Sequence, residues 1–236
     1  MSVVVLKNMS QIRESRRAML WRAASGRPPE WFCKLMTACG YRGRFTGDFI
    51  KSWDVWRTAQ FLETRLGKDE LIVDLGAYQS EILPVLGKLG FRALHGIDLN
   101  PELAAAPYAN RIQLKVGDFY STPYDSGSFA AVTSISAIEH GLDIPRLFKE
   151  VSRILRPGGF FICSTDYWPE KIDTAGITVF DMSWTVFSAE EIAGLLREAA
   201  QFGLVPVGPT SFESGERVIS FAGRRYTFAW MAFRKE

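Results

Sequence analysis

Three short apolar runs, each ending in a carboxylate, constrain this chain most. Leu71-Ile72-Val73 leads into Asp74-Leu75-Gly76, Ala93-Leu94-His95-Gly96-Ile97 into Asp98, and Ile112-Gln113-Leu114-Lys115-Val116-Gly117 into Asp118. Runs this short and this apolar read as strands buried on both faces. Strands that alternate with helical patterns across short connections predict parallel pairing with right-handed crossovers. Three carboxylates at the C-terminal ends of successive strands then line one crevice, the place where open α/β sheets bind ligands. Acidic groups there suit a ligand with hydroxyls, an exocyclic amine and a positive charge, not one dominated by phosphate.

Helical patterns are predicted over residues 10–24, 29–39 and 48–66, with turns at 26–29 and 40–47. From residue 70 the pattern changes. Strands are predicted at 71–75, 93–98, 112–117, 129–135, 160–165, near 204–208 and at 226–233. Helices fall at 80–89, after Asn100-Pro101, at 143–155 and from the N-cap Ser188 to about 201, with Glu191 completing a capping box. Arg156-Pro157-Gly158-Gly159 reads as a break, and 166–187 as a long loop. The last two strands have no helix between them, which allows antiparallel pairing at the sheet edge. The expected organisation is a helical cap over 1–68 and a ligand-binding domain over 69–236.

Net charge is +2, divided as +8 over residues 1–68 and −6 over the remainder. The basic segment either attracts an anionic acceptor or forms a solvated face that docks on the acidic body. No apolar run approaches the roughly 18 residues that span a bilayer, and no secretory pattern opens the sequence, so the expected address is the cytoplasm. Cys33 and Cys39 are poorly spaced for a metal, and Cys163 lies in an apolar run. No nucleic-acid motif appears.

The chain resembles the class I S-adenosylmethionine (SAM) dependent methyltransferases of small molecules. The likeness covers about residues 70–235 and rests on LIVDLGAYQSE, LHGIDLNPE, VGDF, SFAAVTSISAIEHG with LFKEVSRILRPGGFFI, and YTFAWMAFRK. It implies a Rossmann-like α/β fold: a doubly wound, seven-stranded, mostly parallel sheet with an antiparallel last strand. It implies SAM as cofactor and a small-molecule acceptor. Asp74, Gly76 and Ala77 then lie in the turn that wraps the methionine part, with Tyr78 and Ser80 beyond them. Asp98 takes the ribose hydroxyls, and Leu99 packs on adenine. Gly117 and Asp118 meet the adenine amine, Phe119 covers the ring, and Ser136 faces the methyl-donor end. Each has a plainer reading as a cap, turn or core residue.

The first motif departs from the family. Of three alternating glycines only Gly76 remains, with Tyr78 and Ser80 at the other two positions. Either the loop takes a wider path, with Ser80 offering a hydroxyl to the methionine carboxylate, or the chain is a non-catalytic module with a degenerate site. The same turn lacks the G-x-G-x-x-G that a dinucleotide needs, which argues against the third reading, a nucleotide-dependent oxidoreductase.

Methyl transfer from a sulfonium needs alignment and water exclusion, and a base only for a hydroxyl or protonated amine acceptor. His140, after strand four, is the candidate base. The alternative is a structural role for Glu139-His140. Asp166 and Tyr167 are weaker candidates, and His95 reads as a core residue. Trp53, Trp56, Trp168, Phe180, Trp184 and Phe187 offer an apolar roof for a planar or sugar acceptor, or are packing residues.

Overall fold

The computed structural model describes residues 2–23, 48–106, 112–179 and 181–236. The expected helix over 29–39, Cys33, Cys39 and Phe180 lie outside them.

The elements are β1 (Val3–Val5), α1 (Met9–Ala23), α2 (Ser52–Glu63), β2 (Ile72–Leu75), α3 (Ile82–Lys88), β3 (Leu94–Asp98), a 3-10 turn (Pro101–Ala105), β4 (Gln113–Val116), β5 (Phe129–Ile135), α4 (Ile144–Ile154), β6 (Leu155–Tyr167), a small hairpin of β7 (Thr178–Val179) and β8 (Met182–Ser183), α5 (Ala189–Gln201), β9 (Leu204–Pro206), β10 (Ile219–Phe221) and β11 (Arg224–Lys235). The main sheet runs β1-β11-β6-β5-β2-β3-β4, and β9 and β10 also pair with β11. Strands β4, β3, β2, β5 and β6 are parallel. The long β11 is antiparallel to β6. This is the doubly wound, mostly parallel sheet with an antiparallel last strand that the sequence predicts.

Local chemistry sets the boundaries. The Asn100 side chain accepts from Glu102 N at 2.9 Å and caps the 3-10 turn. Asp143 caps α4 by accepting from Arg146 N at 3.1 Å. Ser188 and Glu191 form the expected capping box, each accepting from the other's backbone N–H, at 3.2 and 2.7 Å.

Three differences from the sequence reading have physical causes. Val3–Val5 is a strand that pairs with Ala229–Met231, because buried β11 leaves unpaired backbone groups on that edge. Arg156-Pro157-Gly158-Gly159 follows the end of α4 at Ile154 as expected, but β6 starts earlier than the predicted residue 160: it begins at Leu155 and absorbs a register irregularity opposite Phe129–Ala131, with Gly158 in the left-handed region. The loop at 166–187 contains the β7–β8 hairpin.

Apolar side chains fill both faces of the sheet. One cluster joins α1, α2 and α3 to Ile72, Leu94, Ile162 and Trp230. The other joins α4 and α5 to Val73, Leu75, Val132 and Phe233. Gly96 lets α3 approach β3: an added Cβ would fall 2.8 Å from Leu114 and 2.9 Å from both Ala77 and Leu83. His95 stacks edge-on against Tyr124 and Phe129, in keeping with its core reading.

Candidate active site

The crevice lies where the loops after β2, β3, β4 and β5 meet. Gly76 turns the chain out of β2 at φ +83°, and a Cβ there would lie 3.1 Å from Ala137 Cβ. The loops after β2 and β5 therefore pass close together. Gly76 N and Ala77 N both donate to Ile97 O, at 3.0 and 3.2 Å. Tyr78 N donates to Asp98 Oδ2 at 3.0 Å, and the Tyr78 hydroxyl bonds the Glu102 carboxylate. Gln79 carries the left-handed turn, at φ +62°. Ser80 N donates to Ala77 O at 3.2 Å, and its hydroxyl faces the Asp74 carboxyl. The loop thus turns without the second and third glycines.

The three carboxylates end three neighbouring strands but differ in environment. Asp74 is fully buried; its Oδ1 accepts from Thr133 Oγ1 at 2.6 Å, and burial pushes its carboxyl up to about 7. Asp98 is half-buried, and its Oδ1 accepts from Asn100 N at 2.8 Å. Two backbone donors thus orient this carboxylate. Asp118 accepts from Tyr120 N at 2.7 Å and lies 3.9 Å from Arg146. Asp98 and Asp118 are half-buried, whereas Asp74 is buried. Leu99 is 60% exposed beside Asp98. Gly117 N donates to Asp98 O at 2.9 Å, and Phe119 is buried next to Asp118.

At the end of β5, Ser136 holds φ +50°. Its N donates to Ser164 Oγ at 3.1 Å, and its own hydroxyl donates to Asp54 Oδ2 at 3.2 Å. Beside it lies a charged pair, half-buried at Lys51 and buried at Glu139, that no sequence motif announced. Lys51 Nζ is 4.0 Å from Glu139 Oε1 and 4.2 Å from the centre of the Phe228 ring. Burial lowers the basicity of Lys51, but Asp166, Glu139, Asp54 and Asp48 together outweigh it and keep the ammonium. Asp166 Oδ2 accepts from Trp184 Nε1 at 2.7 Å. Burial pushes Glu139 and Asp166 well above the usual carboxylate range, and Asp166 raises Glu139 further. Burial, with the Lys51 ammonium, pushes the His140 imidazole down to about 4. Trp53 and Trp56 pack in the core and do not roof the crevice. Among the described residues no group of three or more side chains is arranged to hold a metal ion.

Residues 73–163 match the family described as a methyltransferase domain. This segment, less than half of the chain, is thus similar to a methyltransferase domain. A demethylmenaquinone methyltransferase of Symbiobacterium thermophilum is 27% identical over 121 residues, 47% of this chain and 48% of the relative. A sterol 24-C-methyltransferase of Aspergillus fumigatus is 36% identical over 53 residues, 22% of this chain and 14% of the relative. The chain thus spans about half the length, or less, of the curated relatives it matches. Two crystal structures share the methyltransferase fold. Geranyl diphosphate C-methyltransferase from Streptomyces coelicolor, in complex with S-adenosylhomocysteine (SAH), has a TM-score of 0.56 at 16% identity, covering 98% of this chain and 100% of its own. The Burkholderia thailandensis 1,6-didemethyltoxoflavin-N1-methyltransferase, also with bound SAH, has a TM-score of 0.58 at 19% identity, covering 77% and 78%.

SAM is the cofactor of this family, and the crevice fits its adenosyl half. Asp98 keeps lone pairs for a diol after its two backbone bonds. Leu99 presents an exposed apolar face beside it.

Proposed function

We propose that this chain transfers the methyl group of SAM to an oxygen or nitrogen of a small molecule. Asp98 carries the reading. It is a half-buried carboxylate at the C-terminal end of a parallel strand, oriented by Tyr78 N and Asn100 N and flanked by exposed Leu99. Such a group takes a ribose diol with two charge-assisted hydrogen bonds. In this reading Asp118 accepts from the adenine amine, Phe119 and Leu99 flank the ring, and Asp74, Gly76, Ala77, Tyr78 and Ser80 frame the methionine part. Ser136 and His140 stand at the methyl-donor end.

When bound, the cofactor supplies an electrophilic methyl on a sulfonium. The protein's part is alignment, exclusion of water and removal of a proton. His140, kept neutral by burial and by Lys51, is a weak proton acceptor. Glu139, which burial and Asp166 hold against ionisation, takes a proton more readily and supplies the stronger base. His140 then orients the acceptor by a hydrogen bond.

The test is calorimetric titration with SAM and SAH, followed by an acceptor screen scored by SAH release. Binding heat and acceptor-dependent release support the reading. No heat and no thermal shift at millimolar cofactor would overturn it in favour of a non-catalytic module.

A further inference from the structure

The carboxyl assigned above as the base sits where ionisation is hard. Glu139 is 1% exposed, and Asp166 at the end of β6 brings a second carboxyl beside it. Burial and that neighbour push Glu139 up to about 8. A base that already holds its proton accepts nothing further, so the reaction needs a positive charge close by.

Lys51 supplies one, and α2 delivers it. Lys51 is the N-cap residue of that helix. Asp54, in the first turn, accepts from Ser164 Oγ at 2.8 Å and from Ser136 Oγ at 3.2 Å, which pins the helix start to β6 and to the end of β5. The Lys51 ammonium then lies 4.0 Å from Glu139 Oε1, with the Phe228 ring of β11 holding it from another side at 4.2 Å. At 4.0 Å the contact is an ion pair rather than a hydrogen bond. Lys51 therefore acts on Glu139 through its charge, and Glu139 Oε2 accepts no hydrogen bond from the protein. Thr185 N fixes the backbone there by donating to Glu139 O at 2.9 Å.

The other groups around the pair are acidic or neutral. Asp54 faces Glu139 from α2 and Asp166 from β6, while Asp48 faces Lys51. Burial and Lys51 keep His140 neutral, and burial keeps the Cys163 thiol of β6 and the Tyr226 hydroxyl of β11 protonated. Among the described residues, Lys51 is the cation set against these carboxyls.

We propose that Lys51 is a positioning residue for methyl transfer: its ammonium keeps the Glu139 carboxylate charged and in place to take the acceptor's proton. The proposal rests on the base role given to Glu139 above. The acceptor's O–H or N–H proton goes to Glu139, its electron pair forms the bond to the methyl carbon, and the carbon–sulfur pair leaves with SAH.

Carbon-13 NMR of the side-chain carboxyls in the full chain reads this base directly, with the Glu139 signal assigned by its loss in Glu139→Gln. In Lys51→Met the Glu139 titration midpoint is expected to rise by about one to three pH units, the effect of losing a close opposite charge. In Lys51→Arg, which keeps the charge, it is expected to stay in place. With an acceptor from the screen, the acid limb of the kcat profile is expected to move with the midpoint. The rate at pH 7 then falls about tenfold for each pH unit and recovers at higher pH, with SAH affinity held. If Lys51→Met does not fold, Lys51→Gln takes its place. A midpoint that the neutral variant leaves unmoved, or a displacement that Lys51→Arg fails to prevent, would overturn the proposal. A displaced midpoint with an unmoved rate profile would overturn the base role of Glu139, and the proposal with it. Failure of the unmutated chain to bind SAH would strike the underlying site instead, with the Glu139 titration still legible.

Discussion

The carboxylate of Asp54 on α2 accepts a hydrogen bond from the Ser164 hydroxyl on β6 at 2.8 Å, across 110 residues of sequence. The same oxygen accepts from Ser136 at 3.2 Å. One buried side chain thus ties an N-terminal helix to the ends of two strands beside the crevice. Asp54→Ala leaves two hydroxyls without their acceptor, and each costs about 1–3 kcal/mol if left unpaired. Urea denaturation is expected to show a loss in that range or above it, with Asp54→Asn, which keeps one acceptor oxygen, losing less.

Asp98→Ala removes the group assigned to the ribose. Titration is expected to show SAH binding weakened by about 1.5–3 kcal/mol, the range for hydrogen bonds to a charged group. Unchanged affinity would take Asp98 out of the site.

Gly76→Ala places a side chain at φ +83° and 3.1 Å from Ala137 Cβ. The left-handed conformation alone costs about 1–2 kcal/mol. Both thermal stability and SAH affinity are expected to fall. Tyr78→Phe, which loses only an exposed hydroxyl contact with Glu102, is expected to leave both nearly unchanged.

Asp74 gives a pH signature. Its carboxyl ordinarily titrates near 3.8 and is pushed up to about 7 in the fold. Between those values the folded state holds a proton that the unfolded chain has lost, so stability falls as pH rises through the window. Relative to Asp74→Asn, the unmutated chain is expected to lose stability from about pH 4 to pH 7, at about 1.4 kcal/mol per unit, and to level off above. Thermal melts of both proteins across pH measure it. A constant difference would mean that Asp74 ionises normally.

Glu139→Gln is expected to lower turnover by about 10²- to 10⁴-fold, the contribution of a positioned base, with SAH affinity held within about threefold. His140→Ala is expected to cost less. Steady-state kinetics with an acceptor from the screen, beside calorimetry, separates the two effects.

The parts of this molecule legible in the sequence are those encoded locally. Alternating apolar runs placed β2 to β5, and Asn100, Asp143 and Ser188 marked the helix starts because capping depends on neighbours within three residues. Arg156 to Gly159 marked the end of α4 but hid the start of β6 at Leu155, since the proline and glycines sit in a strand irregularity. Val3–Val5 is too short to read as a strand without β11 beside it. The first motif and Asp98 were visible as spacing. Lys51 and Asp54 were not, because each comes beside Ser136 and Glu139 only when distant segments pack together. A charged residue on a helical face looks the same whether it meets solvent or a buried partner.

The outer edge of β11 is covered piecewise, by β10 at Tyr226, by β1 at Ala229–Met231 and by β9 at Phe233–Lys235. Three short segments shield what would otherwise be a twelve-residue template of free amides and carbonyls. Losing the first few residues would bare the middle of that template and offer it as a pairing edge to another strand.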